Sequence, residues 1–342
     1  MLTPEWERRL RECPQNPEHH GEGDVLTHTL MVVEALRADP NFQSLQAAER
    51  EVLEWAAWLH DVAKPLCLQP DLSCPGHARK GSQIARQLLY QRGADREQRE
   101  LACNLVRYHM WPYRLVDAPD WRRQILSLRL NTRCDLLTLL ARADARGRIC
   151  RDQAALLDQI ELFDQLAREN PPCFADDHSR VTYFRKGGDP TRVVFHQPRC
   201  RVTVMSGLPA AGKDHWIARH GKNLPVISLD GLREELEVSP SGDQGEVIQA
   251  AREQARGHLR AGRDFIWNAT NLSQSLRQRT LDLCFDYSAD VRLVYVEAPL
   301  AEIQRRNQAR SRPVPAGVVE RMLRRWEPPD QEEAHQLVIQ SL

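Results

Sequence analysis

The chain has 342 residues, 42% of them hydrophobic and 27% charged, with 47 basic and 47 acidic side chains in balance. At roughly 150 residues per domain this length predicts two domains, each with enough material for a core, and the composition excludes a disordered or membrane-embedded protein. A formal net charge of zero supplies no overall field toward nucleic acid or membrane, so any polyanion must be gripped by a local patch.

The opening segment MLTPEWERRLREC has no apolar core and does not read as a signal peptide. No apolar run approaches the ~18 residues that span a bilayer. The nine cysteines are odd in number and form no C-x-x-C pair, which argues against a disulfide framework or a zinc ribbon and for a reducing cytoplasm.

Up to about Asn170, apolar residues recur at helical spacing in 26–36, 51–63, 81–92, 97–110 and 134–148. Residues 1–170 therefore read as an all-α domain. His60 and Asp61 close the helical run EVLEWAAWLHD. Adjacent helix positions point about 100° apart, so the two side chains converge on one ion only near a helix end or bend. Imidazole with carboxylate suits Mn, Co, Ni, Zn or Fe. His28, His77 and His109 stand in three further helical segments, and Asp144 lies on an otherwise apolar face where an unpaired carboxylate is costly. Any one of these alone is more simply a core or surface residue. Several helices each carrying one make a metal site the better reading.

The order H…HD…H…H…D resembles the HD phosphohydrolase superfamily. The stretches EHHGEGDVLTHTLMVVEAL, LHDVAKP and GHARKGSQIA are especially similar to the HD domain of bacterial CCA-adding tRNA nucleotidyltransferases, from about His19 to Arg148. The resemblance implies His28, His60, Asp61 and Asp144 as core metal ligands, with His77 and His109 completing a second metal site or binding phosphate. His20 and Lys64 match positions near the site but not ligands. The implied chemistry is metal-activated water attacking a phosphoester.

Residues 171–200 break the helical rhythm with Pro-Pro, Asp-Asp, Gly-Gly and Asp-Pro around RVTYF (180–184) and RVVFH (192–196). This segment reads as a connector with one hairpin. From 201 to 342, the runs RVTVM, PVISL, FIWNA and VRLVYVEA alternate with helical stretches, which predicts an α/β domain with a parallel sheet and crossover helices.

In this second half Gly207-Leu208-Pro209-Ala210-Ala211-Gly212-Lys213-Asp214 follows the strand RVTVM and opens the helical stretch KDHWIARHG. That is the context of a phosphate loop: glycines let backbone N–H groups curl around phosphates, and Lys213 reaches the β- and γ-phosphates. ATP or another NTP with Mg²⁺ is the expected ligand. Asp214 replaces the usual Ser/Thr and can still meet Mg²⁺, while adding negative charge beside a triphosphate. Asp230, at the carboxyl end of PVISLD, is placed to take a proton from an attacking hydroxyl, and Arg233 one turn on can hold an acceptor phosphate. Asp230 as a mere N-cap with a surface arginine is the plainer alternative. Arg306 and Arg310, spaced i, i+4 in AEIQRRNQARSR, share a helix face that can close over ATP as a lid.

The set SGLPAAGKD, SLDGLREEL, NATNLS and RRNQARSRPVP resembles the P-loop polynucleotide 5′-hydroxyl kinases over about Val202 to Pro329. The resemblance implies that Lys213 binds ATP phosphates, Asp230 is the general base, Arg233 contacts the acceptor phosphate, and Arg306 and Arg310 contact ATP. Ala269 stands where some members carry an acidic residue, which leaves the orientation of Arg233 open. The two halves together resemble bacterial HD-domain polynucleotide kinases. This implies an enzyme that heals RNA or DNA ends by phosphorylating a 5′-hydroxyl and removing a 2′,3′-cyclic, 2′- or 3′-phosphate, with a separate ligase as partner and no membrane. An HD nucleotidase or phosphodiesterase fused to a small-metabolite kinase, and a nucleotide-gated sensor, are the alternatives.

Overall fold

Residues 2–115, 118–221, 223–239, 242–310 and 312–341 are described by the computed structural model. They divide into two compact units, Met1–Pro172 and Cys173–Leu342. Among the described residues no helix is long and apolar enough to cross a membrane.

The first unit is helical. Its site is carried by the helices Val25–Ala38, Ala47–Leu59, His77–Gln91, Arg96–Tyr108 and Cys134–Arg146. Local signals set their ends: Asp24 accepts from the Thr27 N–H, Gln46 and Glu49 form a capping box, and Asp95 accepts from the N–H groups of Glu97 and Gln98. The apolar stripes meet in one core in which Leu36, Leu53, Leu105, Leu136 and Leu140 are wholly buried. Each such leucine contributes on the order of 1.5–3 kcal/mol by leaving water. Gly147 ends the last of these helices against the first. A Cβ there would stand 2.7 Å from Val32 Cγ2 and 2.8 Å from the Val32 nitrogen, so only glycine permits this approach.

The second unit is built on a fully parallel sheet of five strands in the order β2-β3-β1-β4-β5, with β1 Arg201–Ser206, β2 Val226–Ser228, β3 Phe265–Asn268, β4 Asp290–Glu297 and β5 Gln336–Ser341. β1 and β4 are buried almost throughout, as expected where helices cover both faces. Both lie inside the sheet, and β1 separates β3 from β4. The crevice beyond the carboxyl ends of β1 and β3 is thus where an α/β sheet of this kind takes its ligand. β5 is an additional strand beyond the four read from sequence. It pairs with β4 at one edge and is half-exposed, so it lacks an apolar run.

The hairpin expected in 171–200 is not formed. RVTYF lies within the helix Asp177–Lys186, capped by Asp176, which accepts from the Ser179 N–H at 2.6 Å. Val181 and Phe184, three residues apart, are buried on one helix face, and this packing overrides the strand preference of Val and Thr. Arg180 donates to the carbonyls of Ala334 and His335, and Arg185 pairs with Asp282, so the segment is bound to the second unit. RVVFH forms no regular element.

Candidate metal centre and phosphate loop

In the first unit all six expected residues converge. The helix Ala47–Leu59 stops just before His60, and this end lets His60 and Asp61 turn inward together. His28 comes from mid-helix, His77 from the first position of its helix, His109 from the residue after Tyr108, and Asp144 from near the end of Cys134–Arg146. His28, His60, Asp61, His109 and Asp144 are buried, and His77 is partly so.

They form two trios, His28–His60–Asp144 and Asp61–His77–His109. The Nε2 atoms of His28 and His60 are 3.3 Å apart, and those of His77 and His109 are also 3.3 Å apart. Asp61 links its own trio to the other, with Oδ2 3.2 Å from His60 Nε2 and Oδ1 3.4 Å from His77 Nε2.

The second nitrogen of each ring explains the orientation. His60 Nδ1 donates to the Ala57 carbonyl at 2.8 Å, His77 Nδ1 to Cys74 at 2.7 Å and His109 Nδ1 to Val106 at 2.7 Å. His28 Nδ1 faces the Gly147 carbonyl at 3.2 Å and Glu22 Oε1 at 2.9 Å. With Nδ1 donating, the rings of His60, His77 and His109 present an Nε2 lone pair inward, as metal-binding histidines do. His28 instead has its Nε2 3.1 Å from Asp144 Oδ1, and although burial opposes protonation there, Asp144 and Glu22 raise its pKa. Asp61 Oδ1 is buried with no hydrogen-bond partner among the described residues. Facing lone pairs and an orphan carboxylate oxygen are what a cation resolves, so these residues fit a divalent transition metal.

The electrostatics agree. Burial opposes ionisation of Asp61, but Lys64 and His60 outweigh it and hold the carboxyl well below its usual range. Burial likewise opposes ionisation of Asp144, and Arg148 and His28 overcome it. Burial pushes His109 down to about 3 and also lowers His77.

Three supporting residues were not singled out in the sequence. Glu22 receives His28 and also His20, whose Nδ1 lies 2.8 Å from Glu22 Oε1. Arg148 donates to both Asp144 oxygens at 3.0 and 2.7 Å, and the Tyr113 hydroxyl donates to Asp144 Oδ2 at 3.0 Å. Lys64, which the sequence did place near the site, donates to Asp61 Oδ2 at 2.7 Å and to Gln15 Oε1 at 2.6 Å.

In the second unit Gly207–Asp214 leaves β1 and enters the helix Lys213–His220. Gly207 has φ +146°, and a Cβ there would stand 2.3 Å from the Val296 carbonyl oxygen. Ala210, at φ +61°, holds a left-handed conformation that costs a non-glycine residue roughly 1–2 kcal/mol. Lys213 Nζ folds back to donate to the carbonyls of Gly207 and Leu208, each at 3.0 Å. Burial pulls its pKa down to about 8. Asp214 Oδ1 accepts from Asn268 Nδ2, at the end of β3, at 2.8 Å.

Asp230 falls in the first turn of the helix Leu229–Glu235, directly after β2, and its exposed carboxylate pairs with Arg233. Gln244, another residue without a signal in the sequence, receives Arg233 Nε at 2.7 Å and so fixes the guanidinium in the absence of an acidic side chain at 269. Arg306 reaches the phosphate loop, donating to the Ala211 carbonyl at 3.3 Å while pairing with Glu302. Arg310 is exposed, and its charge contributes to lowering the basicity of Lys213. The loop, Asp230, Arg306 and Arg310 thus address one region.

A family described as HD domain matches residues 25–148, and one described as AAA domain matches residues 202–329. The chain thus carries a helical segment similar to HD domains followed by a phosphate-loop segment on a parallel sheet that is similar to AAA domains. The Multifunctional CCA protein of Halorhodospira halophila is 39% identical over 105 residues, covering 30% of this chain and 23% of that protein. Its namesake from Actinobacillus pleuropneumoniae serotype 5b is 32% identical over 157 residues, covering 44% of this chain and 36% of that protein. The chain therefore matches only about a quarter to a third of the length of these relatives. Among solved structures, an unliganded sugar kinase from Janibacter sp. HTCC2649 is 19% identical over 42% of this chain and 85% of that one, with a TM-score of 0.33.

A further histidine cluster, His178–His196–His335, does not fit a metal. His335 Nδ1 accepts from the Val291 N–H at 2.8 Å, so the neutral ring keeps its proton on Nε2 and donates it to His178 Nδ1 at 3.0 Å. The rings of His178 and His196 stack 3.8 Å apart within 1° of parallel, so their in-plane lone pairs do not converge. This cluster ties the helix Asp177–Lys186 to the amino ends of β4 and β5.

Proposed function

We propose that the chain heals broken nucleic-acid ends, with a 5′-hydroxyl kinase in its second unit and a 2′,3′-phosphoesterase in its first. The observation that carries this reading is the Asp230–Arg233 pair at the carboxyl end of β2, with Arg233 held by Gln244. A base beside a fixed guanidinium suits a hydroxyl acceptor that carries a neighbouring phosphate, as the 5′-terminal nucleoside of a polynucleotide does. Asp230 takes the proton of the 5′-hydroxyl as its oxygen bonds the γ-phosphorus, and the β–γ bridging P–O bond breaks to leave the nucleoside diphosphate. Lys213 and the loop N–H groups grip the phosphates, Arg306 and Arg310 neutralise the equatorial oxygens, and a Mg²⁺ bound with the nucleotide would offset further charge.

In the first unit His28, His60 and Asp144 would hold one ion and His77 and His109 a second, with the Asp61 carboxylate available to either. A bound Mn, Co, Ni, Zn or Fe ion supplies Lewis acidity and a water acidic enough to attack phosphorus near neutral pH. Lys64 balances the charge of Asp61. Arg148 and Tyr113 keep Asp144 oriented. The two reactions are complementary, because cleavage through a ribose 2′-hydroxyl leaves a cyclic phosphate on one side and a 5′-hydroxyl on the other. The relatives named Multifunctional CCA proteins support an RNA-related setting for the HD half.

The test uses an RNA oligonucleotide with a 5′-hydroxyl and a 2′,3′-cyclic phosphate, ATP, Mg²⁺ and a panel of transition metals, with both ends followed by mass spectrometry. Asp230→Ala should abolish phosphate gain and spare phosphate loss, and Asp61→Ala the reverse. A single substitution that silenced both reactions would refute two independent sites. No change at either end by the wild type, with controls active, would redirect the reading to small nucleotides.

A further inference from the structure

Asp214 occupies the loop position where a hydroxyl is usual, and the geometry around it is specific. It is the second residue of the helix Lys213–His220, and its side chain is exposed. Asn268 donates to its Oδ1 at 2.8 Å, which holds the carboxylate on the crevice side of β3. Among the described residues Oδ2 makes no hydrogen bond and the carboxylate no salt bridge. The adjacent ammonium of Lys213 is spent on the carbonyls of Gly207 and Leu208.

We infer that Asp214, positioned by Asn268, makes nucleotide binding conditional on a divalent cation, so that the second unit accepts a cation–nucleoside triphosphate complex and rejects the bare nucleotide. This rests on the reading of that unit as an NTP-binding P-loop domain. A serine or threonine hydroxyl is neutral, and tolerates a metal-free triphosphate at little electrostatic expense. A carboxylate with a free oxygen at the same place repels a bare triphosphate at contact range, because both are anionic and at such short separation solvent screens the repulsion only in part. A cation between them reverses the sign, since Oδ2 and phosphate oxygens are the hard donors that Mg²⁺ and Mn²⁺ prefer. The hydrogen bond from Asn268 keeps the carboxylate from rotating away from the repulsion. The device would exclude unproductive, metal-free nucleotide from the loop.

The experiment is equilibrium binding of ATP to the full chain by calorimetry, with Mg²⁺ or with excess EDTA, in wild type, Asp214→Ser, Asp214→Asn and Asn268→Ala. The quantity read is the ratio of Kd in EDTA to Kd in Mg²⁺. Because EDTA acts equally on the histidine centre in every variant, comparing ratios isolates the loop. The wild-type ratio should exceed that of Asp214→Ser by at least tenfold. Asp214→Asn should match the serine variant, and Asn268→Ala, with its carboxylate freed to rotate, should fall between. Equal ratios in wild type and Asp214→Ser would overturn the inference while leaving nucleotide binding intact. Failure of the wild type to bind ATP even with Mg²⁺ would overturn both the inference and the kinase reading.

Discussion

His28 and His60 point their Nε2 atoms at each other across 3.3 Å, while each ring turns its Nδ1 toward a backbone carbonyl. A proton on His28, which Asp144 and Glu22 favour against burial, bridges the two nitrogens in the absence of metal. A metal ion in its place would engage both rings and Asp144 at once, so the helices that carry them are expected to be held together better when metal is bound. Removing metal with a chelator should lower the Tm of the first unit, and restoring a single transition metal should recover it. Metal content by mass spectrometry should fall in His28→Ala and, separately, in the double variant His77→Ala/His109→Ala. A chain whose Tm and metal content ignored both changes would contradict the assignment.

Lys213 has a pKa near 8, against an ordinary lysine value of 10.5. Between these values the folded chain binds fewer protons at this group than the unfolded chain does. Its contribution to stability is therefore unfavourable below about pH 8 and is relieved as pH rises toward 10.5. Phosphate oxygens recharge the amine, so ATP binding at pH 8.5 should take up a fraction of a proton. Calorimetry in two buffers of different ionisation enthalpy would measure that uptake. Lys213→Met should abolish it along with most of the affinity.

His335 has its pKa lowered to about 4 by burial, with Asp290 opposing and His196 and His178 reinforcing the shift. Its folded value lies below the ordinary 6.5, so the stability it contributes is complete above pH 6.5 and is lost as pH falls toward 4. His335→Asn keeps an acceptor for Val291 without a titrating ring. Urea titrations from pH 7 to 4.5 should show a shallower acid loss for this variant than for wild type. Equal slopes would remove His335 from the cause.

Arg277 is wholly buried, with a bidentate pair to Glu333 at 2.6 and 2.7 Å and bonds to the carbonyls of Asn271 and Glu327. It fastens the segment before β5 to the loop beside the phosphate site. Arg277→Met leaves Glu333 buried without its partner, and should cost about 3–5 kcal/mol in chemical denaturation. A loss below 1 kcal/mol on the order of a surface pair would show that the segment is held by packing instead.

The residues of the histidine centre were legible through their conjunction and their resemblance to a known order, with Asp144 the one that stands on an otherwise apolar face. Glu22 was not, since it stands in a polar loop with no periodicity to violate. Arg148 could have been found from its i, i+4 spacing to Asp144, whereas Tyr113 meets Asp144 only through the tertiary fold. In the second unit the P-loop announces itself by local composition, but Gln244, which precedes the helix Gly245–Arg260 and receives Arg233, carries no mark of that contact in the sequence. RVTYF misleads because Val, Thr and Tyr favour strands, while one buried face and the Asp176 cap were enough to make it helical.

Lys213 already satisfies its charge on two carbonyls of the loop it serves. The resting loop is therefore preorganised, and an arriving phosphate enters by exchange, displacing an internal ligand rather than ordering a slack chain. Part of the intrinsic affinity is surrendered in that exchange, and the entropy of loop ordering is saved. Such a site would release its ligand readily, which suits the turnover proposed for this unit.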